Sequence, residues 1–518
     1  MTIFAQPVKH RAATPIVTPA TVYLAGAGPG DPGLITLRAA ECLKRADLVL
    51  YDYLVNPALL EHAADSAELV CLGHHSTGRA LSPDEITARM LDEAQKGKTV
   101  VRLKGGDPSV FGRGADEVGA LREAGIPFEI IPGITAGLAV GAFCEIPITH
   151  HDDASAVALI AGQERHCKAA SCLDYGALAK FPGTLIFYMG VKRAAEWSRA
   201  LIEHGKPPET PVAIVRWCTR ARQQMVRCTL NTVADIVQKR GIRPPSLFVV
   251  GKVVDRARQL SWFAARPLFS TRVLLAESTD DSKQLGNRLA ALGADVIRRP
   301  AVRVTDPTDW APVDDALDML DHYDWLVFPD ANGVEYFFRR LFDRGADLRC
   351  VGHAKLAAVG CDSAQRLARY HLHADAVLGQ VRDESPAQAL AGEAFGRRFL
   401  LAGASRGRQV LADELEKAGA HVDRIVVYRC VDVEGPDPEA ARALAAGEID
   451  WITLTSSATA ESLVRLYGDA LKRSRFASIG PLTSMALRKL GYEPAAEAPV
   501  QTSAGLVDAI LRVSQTGG

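Results

Sequence analysis

The run Val100-Val-Arg-Leu-Lys-Gly-Gly-Asp-Pro-Ser-Val-Phe-Gly-Arg-Gly114 constrains this chain more than any other stretch. An apolar strand ends there in Gly105-Gly106-Asp107, three residues able to bring backbone groups and one carboxylate close to a ligand. Glycine lacks a Cβ and takes backbone angles closed to other residues. Pro108 then fixes φ and withholds an N–H, so the chain turns instead of continuing. Arg102 and Lys104 precede the turn and Arg113 follows it, which suits a polar ligand.

The same rhythm of strand, loop and helix runs on both sides. Val22–Ala25, Asp47–Tyr51 and Thr99–Leu103 are predicted strands, with helices over Leu34–Arg45 and Pro83–Lys96. A second set of strands is expected at Val157–Ala161, Thr184–Met189, Pro211–Val215 and Leu247–Val254. Such alternation predicts an α/β fold with sheets buried between helices. The 518 residues leave room for about three domains.

An internal duplication organises the rest. Arg272-Val-Leu-Leu-Ala leads to a helix and Gly-Ala-Asp-Val296, and Arg398-Phe-Leu-Leu-Ala leads to a helix and Gly-Ala-His-Val422. Asp324-Trp-Leu-Val-Phe and Asp450-Trp-Ile-Thr-Leu each open a further strand and turn. Two similar lobes with a cleft between them are expected, and clefts are where ligands bind.

Composition narrows the function classes. A net charge of −1 with 23% charged residues gives no global pull toward nucleic acid or an anionic membrane. Anionic ligands must therefore be held by local clusters. No apolar run reaches membrane-spanning length. The ten cysteines show neither a C-x-x-C pair nor zinc-site spacing, so no metal is expected and a reducing cytoplasm is the simple location. Residues 1–20, rich in Ala, Thr and Pro without an apolar core segment, are expected to be a disordered tail.

Gly28-Pro-Gly-Asp-Pro-Gly33 contains a literal G-x-G-x-x-G, and Asp52 closes the next strand where a dinucleotide fold places its ribose-binding carboxylate. A nicotinamide-dependent oxidoreductase is thus a competing hypothesis. Pro29 and Pro32 count against it, because they remove N–H donors that would cradle a pyrophosphate. It would also leave Gly105-Gly106-Asp107 without a task.

The first half resembles the uroporphyrinogen-III C-methyltransferases of the tetrapyrrole methylase family. The matching stretches, in the family's order, are Gly26–Pro32, Tyr51–Val55, Val100–Gly114, Pro132–Ala136, Ile146–His150, Tyr188–Gly190, Pro211–Val215 and Ser246–Val254. The resemblance implies a two-subdomain methylase over residues 21–262 (subdomains about 21–132 and 137–262), binding S-adenosyl-L-methionine between its subdomains and assembling as a homodimer. It places Pro29, Gly105, Gly106, Asp107, Val110, Thr135, Ala136, Met189 and Cys218 at the cofactor, with Asp52 as proton acceptor. His74 stands where many members have a lysine proposed as proton donor, and a histidine would move the pH dependence toward neutrality. Cys218 and Arg216 depart from a usual glycine and glutamate. Uroporphyrinogen III carries eight carboxylates, which makes Arg38, Arg113, Arg220 and Arg222 candidate substrate ligands.

After an expected linker at 263–271, residues 272–515 resemble uroporphyrinogen-III synthase, a bilobal α/β family that closes hydroxymethylbilane with inversion of the last ring. The resemblance assigns Tyr428 to water loss or positioning, and Thr455, Ser456 and Thr483 to substrate carboxylates. Ala276-Glu277 replace a usual Thr-Arg and Pro329-Asp330 a usual Thr-Ser, while Ser363 takes the place of a threonine. Acid gained in a cleft for a polycarboxylate is expected to weaken binding.

Taken together, the two resemblances imply a fused enzyme that makes uroporphyrinogen III and methylates it at C2 and C7 to precorrin-2, for siroheme or cobalamin. An active methylase with a non-catalytic second half, and a regulatory protein that binds both ligands without turnover, stay open.

Overall fold

The computed structural model describes residues 21–73, 81–163, 172–257, 261–277, 280–378, 388–406 and 410–516. The expected tail over residues 1–20 and His74 lie outside them. The chain divides into two compact units, Met1–Ala265 and Arg266–Gly518.

Among the described residues the first unit holds two sheets. One contains β1 (Val22–Gly26), β2 (Leu48–Tyr51), β3 (Glu68–Cys71), β4 (Val100–Lys104) and β5 (Phe128–Ile131), in the order β3-β2-β4-β1-β5. All of its pairings are parallel. Parallel strands need helical crossovers on both faces, which explains why Leu24, Leu48, Leu50, Val100 and Val101 are all fully buried. The other sheet contains β6 (Val157–Ala161), β7 (Thr184–Tyr188), β8 (Pro211–Arg216), β9 (Gln224–Thr229) and β10 (Ser246–Val250), in the order β6-β7-β10-β8-β9. Only β6 and β7 run parallel there.

Several sequence expectations shift at their ends. The first helix spans Leu37–Lys44 instead of Leu34–Arg45, because the Thr36 hydroxyl accepts from the Ala39 N–H and caps it there. Pro32–Leu34 forms a separate 3-10 turn capped by Asp31. The strand expected over Leu247–Val254 stops at Val250, where Gly251 turns to φ 146° and a 3-10 turn follows. Strands β3, β5 and β9, which the sequence did not announce, are short or lie at sheet edges.

Trp197 anchors the second sheet. It is fully buried, stacks on Phe187 with ring centroids 4.4 Å apart, and meets Phe248 edge-on at 5.3 Å. Its indole N–H donates to the Gly190 carbonyl at 3.0 Å, so the core fixes the turn that carries Met189. The stretch expected as a linker contains the boundary between the units and packs on each side of it: Phe263 meets Phe143 at 4.8 Å, and Leu268 is buried beside Val273 and Leu275.

Among the described residues the second unit is built on ten strands: β11 (Arg272–Glu277), β12 (Asp295–Thr305), β13 (Trp325–Phe328), β14 (Lys355–Val359), β15 (Ala376–Leu378), β16 (Arg398–Ala404), β17 (His421–Asp432), β18 (Trp451–Leu454), β19 (Arg475–Ser478) and β20 (Pro494–Glu497). Their order is β15-β14-β13-β16-β17-β12-β11-β18-β19-β20. The duplicated segments match β11 with β16, β12 with β17 and β13 with β18. The two copies are not two consecutive lobes, however. Each lobe combines the first two strands of one copy with the last three of the other, and the lobes join through the antiparallel pair β12–β17. Matching contacts record the exchange. The Asp450 carboxylate accepts from the Arg272 N–H at 2.7 Å, and Asp324 accepts from the Arg398 N–H at 2.9 Å.

Replacing Trp197 with Ala should cost about 3–5 kcal/mol in urea unfolding, the ordinary loss for an aromatic removed from a packed core. A loss below about 1 kcal/mol would show that the sheet does not depend on it. In the second unit, Asp432 accepts from Arg406 through two bonds of 2.8 Å, and from Arg465 and Ser462 at 2.5 Å each. These bonds hold its carboxyl well below the ordinary range. A depressed carboxyl contributes its stability in full above its unfolded value of about 3.9 and loses it as pH falls. The stability gap between wild type and Asp432→Asn should therefore be widest near neutrality and close as pH drops below about 4. A gap constant with pH would remove the ionic role.

Candidate functional site

Three backbones meet at the end of the first parallel sheet. A Cβ on Gly26 would lie 2.6 Å from the backbone of Gly133 and 2.7 Å from the Gly106 carbonyl, and one on Gly133 would lie 2.2 Å from that same oxygen. Only glycine allows this approach. Gly28 and Gly106 exchange backbone hydrogen bonds at 3.2 and 2.8 Å, and Gly106 sits at φ 72°. Asp107 locks the crossing. One carboxylate oxygen accepts from the Ser109 N–H at 2.7 Å and the other from the Gly133 N–H at 2.9 Å.

Beside this crossing opens a cleft of about 890 Å³, walled by the ends of β2 and β4 from one sheet and β7, β8 and β10 from the other. It brings together Pro29, Asp52, Gly105, Gly106, Val110, Thr135, Ala136, Met189 and Cys218, as well as Arg113 and Arg220. Asp107 is not on its wall; the carboxylate expected to touch a ligand faces the backbone instead. Arg38 and Arg222 are absent from the wall too. Arg38 makes a bidentate pair with Glu129 at 2.6 and 2.8 Å on the surface, and Arg222 lies over the Trp217 ring, 3.6 Å from its centroid.

Four charges underlie the floor. Asp52 accepts from Arg102 at 2.6 Å and from the Gly105 N–H at 3.2 Å. Glu117 accepts from Arg102 at 3.0 Å and from Lys104 at 2.8 Å. Arg102, Lys104 and Glu117 are buried, and the group balances to zero. Burial, reinforced by the neighbouring Arg102 charge, pushes the Lys104 ammonium below its ordinary value. The Cys218 thiol is pushed well above its ordinary value by its hydrogen bond with the Cys144 thiol and by burial.

Backbone strain marks the same place. Of the eight non-glycine residues at positive φ among the described residues, Phe111, Arg113, Met189 and Trp217 line the cleft, and Thr219 is two residues beyond Trp217. Strain of this kind collects where function over-determines the backbone. Thr219 accepts from the Asp31 N–H at 3.0 Å, and Arg220 donates to the Leu54 carbonyl at 2.9 Å, tying the loop after β8 to the first sheet.

Tyr188 and Trp217 are wall residues that the sequence did not single out. The Tyr188 hydroxyl accepts from the Gly137 N–H at 2.7 Å and pairs with the Thr135 hydroxyl at 2.8 Å. It thus caps, from the second sheet, the start of helix Ala136–Phe143, for which Thr135 makes no side-chain cap of its own. The Tyr-Met-Gly motif drew attention to Met189; nothing local reveals that its neighbour reaches a distant helix.

The Gly28–Gly33 run opens no α-helix, since it ends within the short 3-10 turn Pro32–Leu34 and the extended Ile35 follows. It therefore lacks the helix N-terminus that a dinucleotide pyrophosphate would need.

In the second unit, Ser456 caps helix Ser457–Tyr467 by accepting from the Thr459 N–H at 3.1 Å, and the Thr455 hydroxyl donates to Glu277. Thr483 is buried in helix Pro481–Lys489, and the Ser457 hydroxyl donates to the Leu482 carbonyl at 3.3 Å, which joins the two turns. Tyr428 lies in the other lobe, nearly buried, with its ring centroid 5.5 Å from that of Tyr336. Burial, then the nearby Asp330 charge, drives its phenol well above the ordinary value. Asp330 itself caps helix Ala331–Asp343, accepting from the Gly333 N–H at 2.8 Å.

Among the described residues, His150, His151 and Asp152 bring potential metal-ligand atoms within 4.8 Å of one another. Arg256 lies 3.6 Å from the Asp152 carboxylate there, a cation where a metal would be repelled. No helix among the described residues is long and apolar enough to cross a membrane.

Comparison with known proteins agrees with this division. Residues 21–234 match the tetrapyrrole (corrin/porphyrin) methylases, and residues 283–508 match uroporphyrinogen-III synthase HemD. A porphyrin biosynthesis protein HemD of Ruminiclostridium josui is 31% identical over 497 residues, covering 95% of this chain and 98% of the relative. A uroporphyrinogen-III C-methyltransferase of Bacillus subtilis is 45% identical over 244 residues, covering 47% of this chain and 94% of the relative. Among solved structures, the Thermus thermophilus uroporphyrin-III C-methyl transferase complexed with S-adenosylhomocysteine is 38% identical, covering 46% of this chain and 99% of that one, with a TM-score of 0.40. The chain belongs to the tetrapyrrole methylase family through its first unit and to the uroporphyrinogen-III synthase family through its second.

Proposed function

We propose that the first unit transfers methyl groups from S-adenosyl-L-methionine to uroporphyrinogen III, at C2 and C7 to give precorrin-2, and that the second closes hydroxymethylbilane to uroporphyrinogen III. The observation that carries the first assignment is the cleft beside the Gly26–Gly106–Gly133 crossing, where added Cβ atoms would meet backbone and where strained Met189 and Trp217 form the opposite wall. A nucleoside with a cationic sulfur fits such a site. Gly105, Gly106 and Ala136 offer backbone, Thr135 a hydroxyl, and Val110 and Met189 apolar surface.

When bound, S-adenosyl-L-methionine supplies an electrophilic methyl group to a ring carbon. The chain supplies position, which accounts for much of the rate in such transfers. Asp107 does this indirectly, by holding the crossing. Asp52, at the cleft wall, is the acceptor for the proton the macrocycle releases; Arg102 and the Gly105 N–H fix its carboxylate in place. Arg113 and Arg220 are the wall cations for substrate carboxylates. Arg38 and Arg222 are left out of this assignment. In the second unit, Tyr428 is assigned to the leaving hydroxyl, and Thr455, Ser456 and Thr483 to substrate carboxylates. A homodimer through the first unit and a cytoplasmic location belong to the same proposal, supported by the family resemblance and the reduced cysteine pattern.

Anaerobic incubation of the full chain with S-adenosyl-L-methionine and either hydroxymethylbilane or preformed uroporphyrinogen III tests both assignments. Dimethylated product with type III side-chain order is expected from both substrates. Absence of methylation from preformed uroporphyrinogen III would overturn the first assignment. Closure of the bilane only to the unrotated type I order would overturn the second.

Asp107→Asn leaves one of its two backbone donors without an oxygen, a loss of about 1–3 kcal/mol. Affinity for S-adenosylhomocysteine in titration calorimetry should fall about tenfold, equivalent to 1.4 kcal/mol. Unchanged affinity would mean that the crossing does not shape the cofactor cradle.

A further inference from the structure

The end of β18 carries a run of hydroxyls. Thr455, Ser456 and Thr459 surround the start of the eleven-residue helix Ser457–Tyr467. Under the assignment of the second unit given above, this turn takes substrate carboxylates. A carboxylate is already there. Strands β11 and β18 are parallel neighbours with Leu275 opposite Thr453, so two residues further on Glu277 comes level with Thr455. One Glu277 oxygen accepts from the Thr459 hydroxyl at 2.7 Å, and the other from the Thr455 hydroxyl. The Ser282 hydroxyl donates to the Glu277 backbone carbonyl at 2.9 Å and holds the strand end in place.

The chemistry around this carboxylate is unusual. Half-buried, it is met by two neutral hydroxyls, and among the described residues it has no basic side chain in an ion pair. The last turn of the same helix also has its cation engaged: Arg465 and Ser462 both donate to Asp432, as does Arg406. The helix face bearing Thr459, Ser462 and Arg465 is thus occupied by the chain's own acids. The partner lobe follows the same plan with the parts exchanged. There the turn itself provides the acid, Asp330, and the strand position matching Glu277 in the duplication is Gly403, where a Cβ would lie 3.3 Å from Pro329.

We propose that Glu277 is an internal occupant of the carboxylate-binding turn of the second unit and sets that unit's affinity for its polycarboxylate substrate. An incoming carboxylate must displace Glu277 from Thr455 and Thr459, or bind beside an uncompensated negative charge. Both lower affinity, and neither changes the bonds made or broken in ring closure. Glu277 is a specificity-determining residue that touches the turn, not the reacting carbon. The inference rests on the bilane-closing assignment.

The test is steady-state closure of hydroxymethylbilane by the full chain, comparing wild type with Glu277→Gln and Glu277→Asp. The glutamine variant keeps an acceptor of the same size and removes the charge; the aspartate keeps the charge. KM should fall on the order of fivefold in Glu277→Gln, as expected for relief of like-charge juxtaposition. It should stay near the wild-type value in Glu277→Asp. Thermal unfolding of the same preparations reports whether each variant is folded, and methylation of preformed uroporphyrinogen III reports that the first unit is unaffected. Closure by wild type with a KM that is unchanged or raised in folded Glu277→Gln overturns the proposal and leaves the bilane-closing assignment standing. Closure by none of the three folded proteins overturns that assignment, and the proposal with it. Equal falls in KM for the glutamine and aspartate variants also overturn it, because side-chain length and not charge would then be responsible.

Discussion

The approach of Gly26, Gly106 and Gly133 is the contact on which the first unit depends. Three chain segments pass closer than any side chain would permit, and Asp107 fastens two of them by giving each of its oxygens to a backbone N–H. Moving the segments apart by the width of a methyl group would shift Gly105, Thr135 and Ala136 together, since all three follow directly from the crossing. The ligand cradle is therefore a consequence of how the sheet ends are joined. A carboxylate that the sequence suggested as a ligand-binding group turns out to be what makes the cradle possible.

Electrostatics act locally throughout. The chain is nearly neutral, yet Arg102, Lys104, Glu117 and Asp52 form a closed group beneath the cleft, and Arg406, Arg465 and Asp432 form another in the second unit. Buried charges persist only where partners offset their desolvation. The group beneath the cleft meets that condition, with Arg102, Lys104 and Glu117 buried; Arg406 and Arg465 are exposed, and their pairing with Asp432 ties the end of β17 to helix Ser457–Tyr467. Glu277 differs: among the described residues its side-chain partners are hydroxyls and not a cation.

The duplicated unit shows how similar segments can make a fold that neither copy makes alone. The long strands β12 and β17 carry the chain out of one lobe and into the other, so each lobe takes strands from both copies. The repeated Asp-Trp pairs serve this exchange. Asp324 and Asp450 each bind the first N–H of the adjacent strand, and those strands begin at Arg398 and Arg272. A lobe is then complete only when both copies are present, which couples its folding across the whole unit.

The sequence by itself determined the α/β alternation, the duplication and part of the cleft wall. Glycines at strand ends, apolar runs of strand length and the residues flanking them are local signals, and Gly105 and Gly106 were legible from them, whereas Thr135 and Met189 were placed by the family resemblance. Helix ends were less legible, because a single hydroxyl such as that of Thr36 decides where the first turn begins. What only the tertiary structure decided are relations between distant segments. These include Tyr188 capping a helix that starts 52 residues earlier at Ala136, the withdrawal of Arg38 to a surface carboxylate and of Arg222 onto the Trp217 ring, the exchange of strands between lobes, and Glu277 reaching hydroxyls on a strand and helix far along the chain. Sequence periodicity reports what one segment buries; which donor meets which acceptor depends on strand order and register, and these are settled only when the sheets assemble.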